Sequence, residues 1–398
     1  MNKGGPLSGV TIVDLSRVLA GPYCTMLLGE LGARVIKVEP PEGDDARKYG
    51  PFVNGESAYF ASYNRGKESI VLDFNRTEDL HFLYSLLKEA DVLVENFRPG
   101  VMAKFGLDWA SVHADFPRLI YASASGFGQT GPLALFPAYD LIVQAMSGLM
   151  SITGYPGEPP ARAGFSIGDL GAGLFTAVAI NAALYHRAMS GEGTRIDVSM
   201  FDCQVALMDS PLVRHLASGD MPGPLGARHP NITPFEAYPT ADRTIIIAAG
   251  NDRLFSKVAH VLNLHNLLDD PRFASNDLRT SNVDALFELM SAVLKTQPAS
   301  HWFAIFEEHG IPYAPINNMA DVVDNKQLEA RNMLITVEDE AAGPIGASGN
   351  PMKFTGFPDL PTRESSPRLD GNRKSLLDEF DPGRAIDSPA TLHPEASQ

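Results

Sequence analysis

Short apolar runs recur through the first half of the chain, separated by longer stretches of helical period. "VTIVDL", "RVIKVE", "SIVLDF", "DVLVENF" and "RLIYASAS" predict strands. Between them "GPYCTMLLGELGA", punctuated by Gly32, "TEDLHFLYSLLKEA" and the stretch near "VMAKFGLDWASVHADF" predict helices. A long apolar helix follows "FSIGDLGAG", then a strand in "TRIDVSM" and a helix through "FDCQVALMDSPLVRHLAS". Strands alternating with helices in this way predict an α/β fold, a doubly wound, Rossmann-like parallel sheet with ligand loops at the strand C-termini.

The pattern breaks at residues 219–234, "GDMPGPLGARHPNITP", whose glycines and prolines predict a crossing between domains. Beyond it, residues 235–330 form a smaller α/β domain. The chain then returns to the large domain, residues 1–218, through residues 331–380, where "GPIGASGNPMKFTGFP" predicts turns and edge strands. The polar tail 381–398 is expected to be disordered. No internal repeat is visible.

Composition narrows the partners. The chain has 398 residues, 44% hydrophobic, with a net charge of −16, which argues against nucleic acid or an acidic membrane surface. Residues 1–104 carry 12 Lys and Arg against 14 Asp and Glu, so this near-neutral part could receive a phosphorylated ligand. No stretch reads as a membrane span, and the start lacks the apolar block of a signal peptide, so a cytoplasmic location is expected. Cys24 and Cys203 are the only cysteines, and ten histidines lack metal-ligand spacing, so neither a disulfide framework nor a metal site is implied.

Familiar nucleotide and hydrolase motifs are missing. The first β-to-α loop, "SRVLAGP", has no GxGxxG, and no GxxxxGK[ST] or GxSxG occurs. Loops after strands instead offer cations: Arg47 and Lys48, then Arg65 and Lys67, then Arg98 and Lys104. Together they could make a diphosphate or 3′-phosphate site, with Phe97 as a surface for an adenine. Singly, each is an ordinary solvated cation. Asp169, just before Gly171 and Gly173, could be a helix cap or a carboxylate beside a bare backbone that a ligand approaches closely.

"DLSRVLAGP", "LGARVIKVE", "NRGKESIVLD", "VENFRPG", "SASGFGQTGP", "AYDLIVQAMSGLM", "GDLGAG" and "GEGTRIDVSMFD" resemble, in order and spacing, the class III coenzyme A transferases. This is the formyl-CoA, carnitine and dicarboxylate group, and the resemblance runs to about residue 375. It implies CoA thioesters and free carboxylic acids as substrates, with no permanently bound cofactor. It also implies two chains interlocked as rings in a homodimer. Asp169 falls on the family nucleophile, which attacks the thioester to give a mixed aspartyl anhydride and then an aspartyl-CoA thioester. A helix N-terminus would keep such a carboxylate ionised, and Gly171 and Gly173 would then give clearance for the thioester.

Carried over residue by residue, the resemblance places Val18 and Ala20 along the pantetheine. Leu72, Asp73, Phe74 and Asn75, with Asn96, Phe97 and Arg98, fall around the nucleotide. Lys104 stands in place of a common family arginine, and Pro40 where some members have another, for which Arg47 could substitute. Tyr139, Asp140, Gly250 and Asn251 fall at the acyl site, the last two in a loop that covers the intermediate. For the free carboxylate of a dicarboxylate substrate, Arg17, Arg228 and His229 are the candidates.

The likeness points to succinate, glutarate and related acids, with a formyl-CoA and oxalate pairing as the alternative. The α-methylacyl-CoA racemases also resemble this chain, but they place a histidine before the aspartate at the position of Tyr139, so proton exchange would lack half of its acid and base pair. A noncatalytic CoA-binding module is the remaining reading and would have no use for Asp169 beside glycine.

Overall fold

A computed structural model describes residues 4–380. The expected tail at 381–398 lies outside these residues. The chain divides into two units. The first comprises the chain up to Met150, Arg162–Asp220 and the chain from Lys326 onward; the second comprises Ser151–Ala161 and Met221–Asn325. The short piece Ser151–Ala161 is thus set apart from the flanking residues that the sequence reading had kept with it in one large domain.

The first unit is built on six parallel strands: β1 (Thr11–Asp14), β2 (Arg34–Glu39), β3 (Glu68–Val71), β4 (Val92–Glu95), β5 (Ile120–Ser125) and β6 (Arg195–Ser199). Their order is β3-β2-β1-β4-β5-β6. Val13 pairs with Ile36 on one side and Leu93 on the other, so β1 is central. Strand order reverses between β1 and β4, the place where open α/β sheets leave a crevice at the strand C-termini.

Side chains alternate across this sheet and bury both faces. Ile12, Val35, Val92 and Ile120 face helices α1 (Ala20–Glu30) and α4 (Ile167–Ser190), meeting Cys24, Leu28, Ala177 and Ile180. Val13, Ile36, Ile70 and Leu93 face α2 (Thr77–Glu89) and α6 (Arg373–Phe380), meeting Leu83, Leu86 and Leu376. Two shorter helices complete the site side, α3 (Asp140–Met146) and α5 (Met200–Leu207). The returning segment adds Leu334–Asp339 between antiparallel Gly343–Ser348 and parallel Thr362–Glu364. The single helix expected over "FDCQVALMDSPLVRHLAS" is interrupted at Met208, giving α5 and Asp209–Ser218.

Helix α4 departs from its reading in two respects. It begins at Ile167 with Ser166 at the cap position, so Asp169 sits inside the first turn and caps nothing. It is also long and apolar enough to cross a membrane by length and composition, contrary to the expectation that no stretch is; Thr176, Ala177 and Ile180 are nevertheless buried within the first unit.

The second unit has an antiparallel sheet of Phe235–Pro239, Thr244–Ala248 and Tyr313–Pro315, with Thr244–Ala248 in the middle. Tyr238, Ile245, Phe255, Met290, Trp302 and Phe306 form its core. The buried Arg279 donates to the Thr233 and Phe273 carbonyls and pairs with Asp252 at 2.6 Å.

Candidate active site

Three sheet strands end in a buried acid that grips the following loop. Asp14 accepts the Ser16 N–H at 2.9 Å, Glu39 the Asp44 N–H at 3.0 Å and Glu95 the Phe97 N–H at 2.8 Å. Around Asp14, Lys67 contributes a buried ion pair at 3.0 Å. Lys37 bonds the Ser16 carbonyl and pairs with Asp44 at 2.8 Å. Asp44 in turn accepts the Val18 N–H, and Val18 is held at φ 67°, a region a β-branched residue rarely enters. The first loop is therefore fixed by charges behind it. The Asn96 side chain clamps it from the front, accepting the Arg17 N–H and donating to the Arg17 carbonyl, both at 2.8 Å.

These loops surround a cavity of about 700 Å³ in the first unit. Residues at or just beyond the ends of all six strands line it, from Leu15 after β1 to Met200 after β6. Arg17 and Arg98 are the cations among its lining residues. Arg17 lies over the Phe97 ring at 5.4 Å and reaches Asp45 at 3.8 Å.

Asp169 lines the same cavity. Among the described residues, no hydrogen bond or ion pair reaches its carboxylate. Burial, with the nearby negative charge of Asp140 as the lesser cause, pushes its carboxyl up to about 7. The helix N-terminus thus does not keep Asp169 in the usual carboxylate range, because desolvation outweighs it. A half-buried, unpartnered carboxylate is a far better nucleophile than a hydrated one.

Gly171 and Gly173 serve packing, not the cavity. A Cβ on Gly173 would meet the Ala20 carbonyl oxygen at 2.5 Å, and one on Gly171 would meet Leu207 at 3.2 Å. They let α4 close on α1 and α5, which corrects the reading of them as thioester clearance.

Of the residues singled out in the sequence, Val18, Ala20, Leu72, Asp73, Phe74, Asn75, Asn96, Phe97, Arg98, Arg17 and Tyr139 line the cavity with Asp169. Others do not, for identifiable reasons. Arg47 makes a two-point pair with Glu39, Arg65 pairs with Glu30 and Lys67 with Asp14, so three supposed phosphate cations neutralise carboxylates instead. Lys104 lies within the turn Met102–Phe105 but outside the lining. Asp140 is buried beside the cavity, where it accepts the Gly168 N–H at 2.8 Å and the Gln144 amide at 2.7 Å. Gly250 and Asn251 belong to the second unit, where Asn251 caps the helix Asp252–Val261. Arg228 there pairs with Glu236 and Asp284, and the His229 ring accepts the Asn231 N–H.

Sequence reasoning missed a row of tyrosines. Tyr49, Tyr59, Tyr63 and Tyr23 stand edge to face at 5.8, 5.1 and 6.2 Å between successive centroids. The negative charge of Asp169 helps to raise the Tyr59 and Tyr63 hydroxyls above their usual range, behind burial as the main cause. Their spacing of four along the helix Ala58–Asn64 was the available signal, since it puts both on one face. Among the described residues, no group of three His, Cys, Asp or Glu side chains is placed to hold a metal ion.

Comparison with known proteins agrees with this geometry. A model of CoA-transferase family III matches residues 7–373. The chain is 45% identical over 378 residues to an acetyl-CoA:oxalate CoA-transferase of Acetobacter aceti, covering 94% of this chain and 96% of that one. It is 39% identical over 388 residues to a succinate–glutarate CoA-transferase of Agrobacterium fabrum (strain C58), covering 96% and 97%. The crystal structure of a CAIB/BAIF family protein from Brucella suis superposes with a TM-score of 0.84 at 39% identity, over 95% of this chain and 100% of that one.

Proposed function

Since the chain belongs to CoA-transferase family III, we propose that it moves CoA from an acyl-CoA to a dicarboxylic acid, with Asp169 as the covalent carboxylate. The observation that carries this reading is the unpartnered, desolvated Asp169 carboxylate on the wall of a cavity large enough for a thioester. In the first step an Asp169 oxygen bonds to the thioester carbonyl carbon and the C–S bond breaks, giving a mixed anhydride and CoA thiolate. The thiolate then attacks the aspartyl carbonyl, releasing the donor acid and leaving an aspartyl-CoA thioester. The acceptor carboxylate reverses both steps, so atoms and charge balance without ATP.

The first loop, Asn96, Phe97 and Arg98 bind the CoA. Arg98 supplies a guanidinium to a phosphate, and the charges behind Val18 keep the loop from yielding when the ligand arrives. Arg17 is the cation of the cavity available to the second carboxylate of a dicarboxylate, its exposed pairing with Asp45 being long and weak. The relatives named above act on oxalate and on succinate and glutarate, which supports a dicarboxylate as one partner acid. Tyr139 at the end of α3, 79% exposed, is a wall of the acyl end.

The working form is a homodimer. Leu174, Phe175, Val178, Tyr185 and Met189 of α4 are exposed apolar side chains, more than a solvated helix face normally carries. A second copy of the chain covering this helix is consistent with them.

The test is a matrix of donors and acceptors, succinyl-CoA and acetyl-CoA against oxalate, glutarate and succinate. New thioester should form only when an acceptor acid is present. Hydrolysis independent of acceptor, or exchange of an α-proton without transfer, would remove this reading.

A further inference from the structure

The three strand-end acids are alike in geometry and unlike in charge balance. Asp14 has Lys67 and Lys37 as compensating cations and accepts from Thr25 as well, so its carboxyl is held at about 2 despite burial. Glu39 has the two-point Arg47 pair and the Ser69 hydroxyl, and it too lies below the ordinary range. Glu95, only 3% exposed, makes no ion pair among those described. Burial pushes its carboxyl up to about 7.

Its surroundings are well defined. Glu95 borders a small cavity of about 140 Å³, shared with Arg98, Asp108, Tyr121, Ser123 and Arg195. The charged and titratable groups facing it are Arg98 from its own loop, Asp108 from the turn after that loop, Tyr121 of β5, and Arg195 and Asp197 of β6. Arg195 favours the ionised form, and Asp197 opposes it more weakly. The Ser123 hydroxyl, directly across the strand pairing, also favours the ionised form.

A buried carboxylate without an ion pair is costly, and an apolar side chain there would leave the Phe97 N–H without its acceptor. We propose that Glu95 is a positioning residue: by accepting the Phe97 N–H it fixes the Asn96–Arg98 loop in the form that receives CoA. The loop is then held at two points, Glu95 below Phe97 and Asn96 on the Arg17 backbone. The Glu95 point alone changes charge near neutral pH. An ionised acceptor holds an N–H more strongly than a neutral one, so the loop tightens as pH rises. This inference rests on the CoA-binding reading of the cavity.

The experiment compares the dissociation constant of CoA for the full chain and for Glu95→Gln across pH, by calorimetry. Gln keeps an amide oxygen for the Phe97 N–H and carries no charge, so it matches the protonated acid. The ratio of the two constants, variant over wild type, should be about 1 at pH 6 and rise to about 5 at pH 8. Titration of CoA itself or of Asp169 cancels in that ratio. Turnover at saturating donor should stay within about threefold at either pH, separating binding from chemistry.

A ratio that does not vary with pH overturns the proposal, because a merely structural glutamate would give that result. Glu95→Ala, checked for folding by its melting transition, should weaken CoA at both pH values; unaltered affinity in a folded alanine variant also overturns it. If the wild type does not bind CoA, it is the CoA reading of the cavity that fails.

Discussion

Asp140 accepts the backbone N–H of Gly168 at 2.8 Å, one residue before Asp169, and thereby places a second carboxylate next to the one that lines the cavity. Its charge helps to hold the Asp169 carboxyl at about 7. Only the ionised form attacks a thioester, so the rate at saturating donor should climb through pH 7. Removing the neighbouring charge with Asp140→Asn should move that limb of the profile to lower pH by up to about one unit. A limb that stays in place would exclude Asp140 as its cause.

The same shift has a consequence for stability. A carboxyl raised in the fold above its unfolded value binds its proton more tightly when folded. Its contribution is therefore full at pH below the unfolded value, near 4, and lost as pH rises through about 7. Asp169→Asn should melt higher than wild type at pH 8, by ~2 °C or more, with the gap shrinking at pH 5. Melting curves at the two pH values check this, and an unchanged gap would contradict it.

Gly173→Ala should destabilise the protein by about 1–3 kcal/mol, since the added methyl meets a backbone carbonyl that cannot swing aside. Gly164→Ala is the matched control. It has open space and no left-handed backbone, and should stay within about 0.5 kcal/mol. Chemical denaturation of the pair measures both.

Lys67→Met should cost about 3–5 kcal/mol by stripping the buried Asp14 of its direct ion-pair partner. Adding Asp14→Asn should return part of that loss. The folded single variant, which loses one of the charges behind the first loop, should raise its KM for acyl-CoA by less than about threefold, whereas Arg98→Ala should raise that KM about tenfold by losing a phosphate contact. Equal KM effects from both would restore Lys67 as a ligand cation.

These outcomes also mark what could be seen in the chain before its structure. The parallel strands were legible because each is a short apolar run bounded by turns, and the Rossmann order follows once they alternate with helices. Asn96, Phe97 and Arg98 were legible because ligand loops follow strand ends in this fold, whereas Asp169, inside a helix, stood out by the glycines beside it and by the family resemblance. The charge pairs were not. Arg47, Arg65 and Lys67 look like free cations in sequence, and only the meeting of Glu39 with Arg47 or Asp14 with Lys67, 53 positions apart, takes them out of the site. Gly171 and Gly173 misled for a related reason: their neighbours, Leu207 and Ala20, lie on other helices. Glu95 gave no signal, since its lack of an ion pair is a property of its neighbours.

The central claim is the covalent role of Asp169, and trapping tests it most directly. The protein is incubated with succinyl-CoA or acetyl-CoA, quenched with hydroxylamine and analysed by peptide mass spectrometry. An Asp169 acyl species, anhydride or thioester, converts to a hydroxamate at Asp169, and this product should be absent without acyl-CoA and absent in Asp169→Ala, which should still bind CoA. Full turnover in Asp169→Ala, or a hydroxamate at another carboxylate with none at Asp169, would contradict the account.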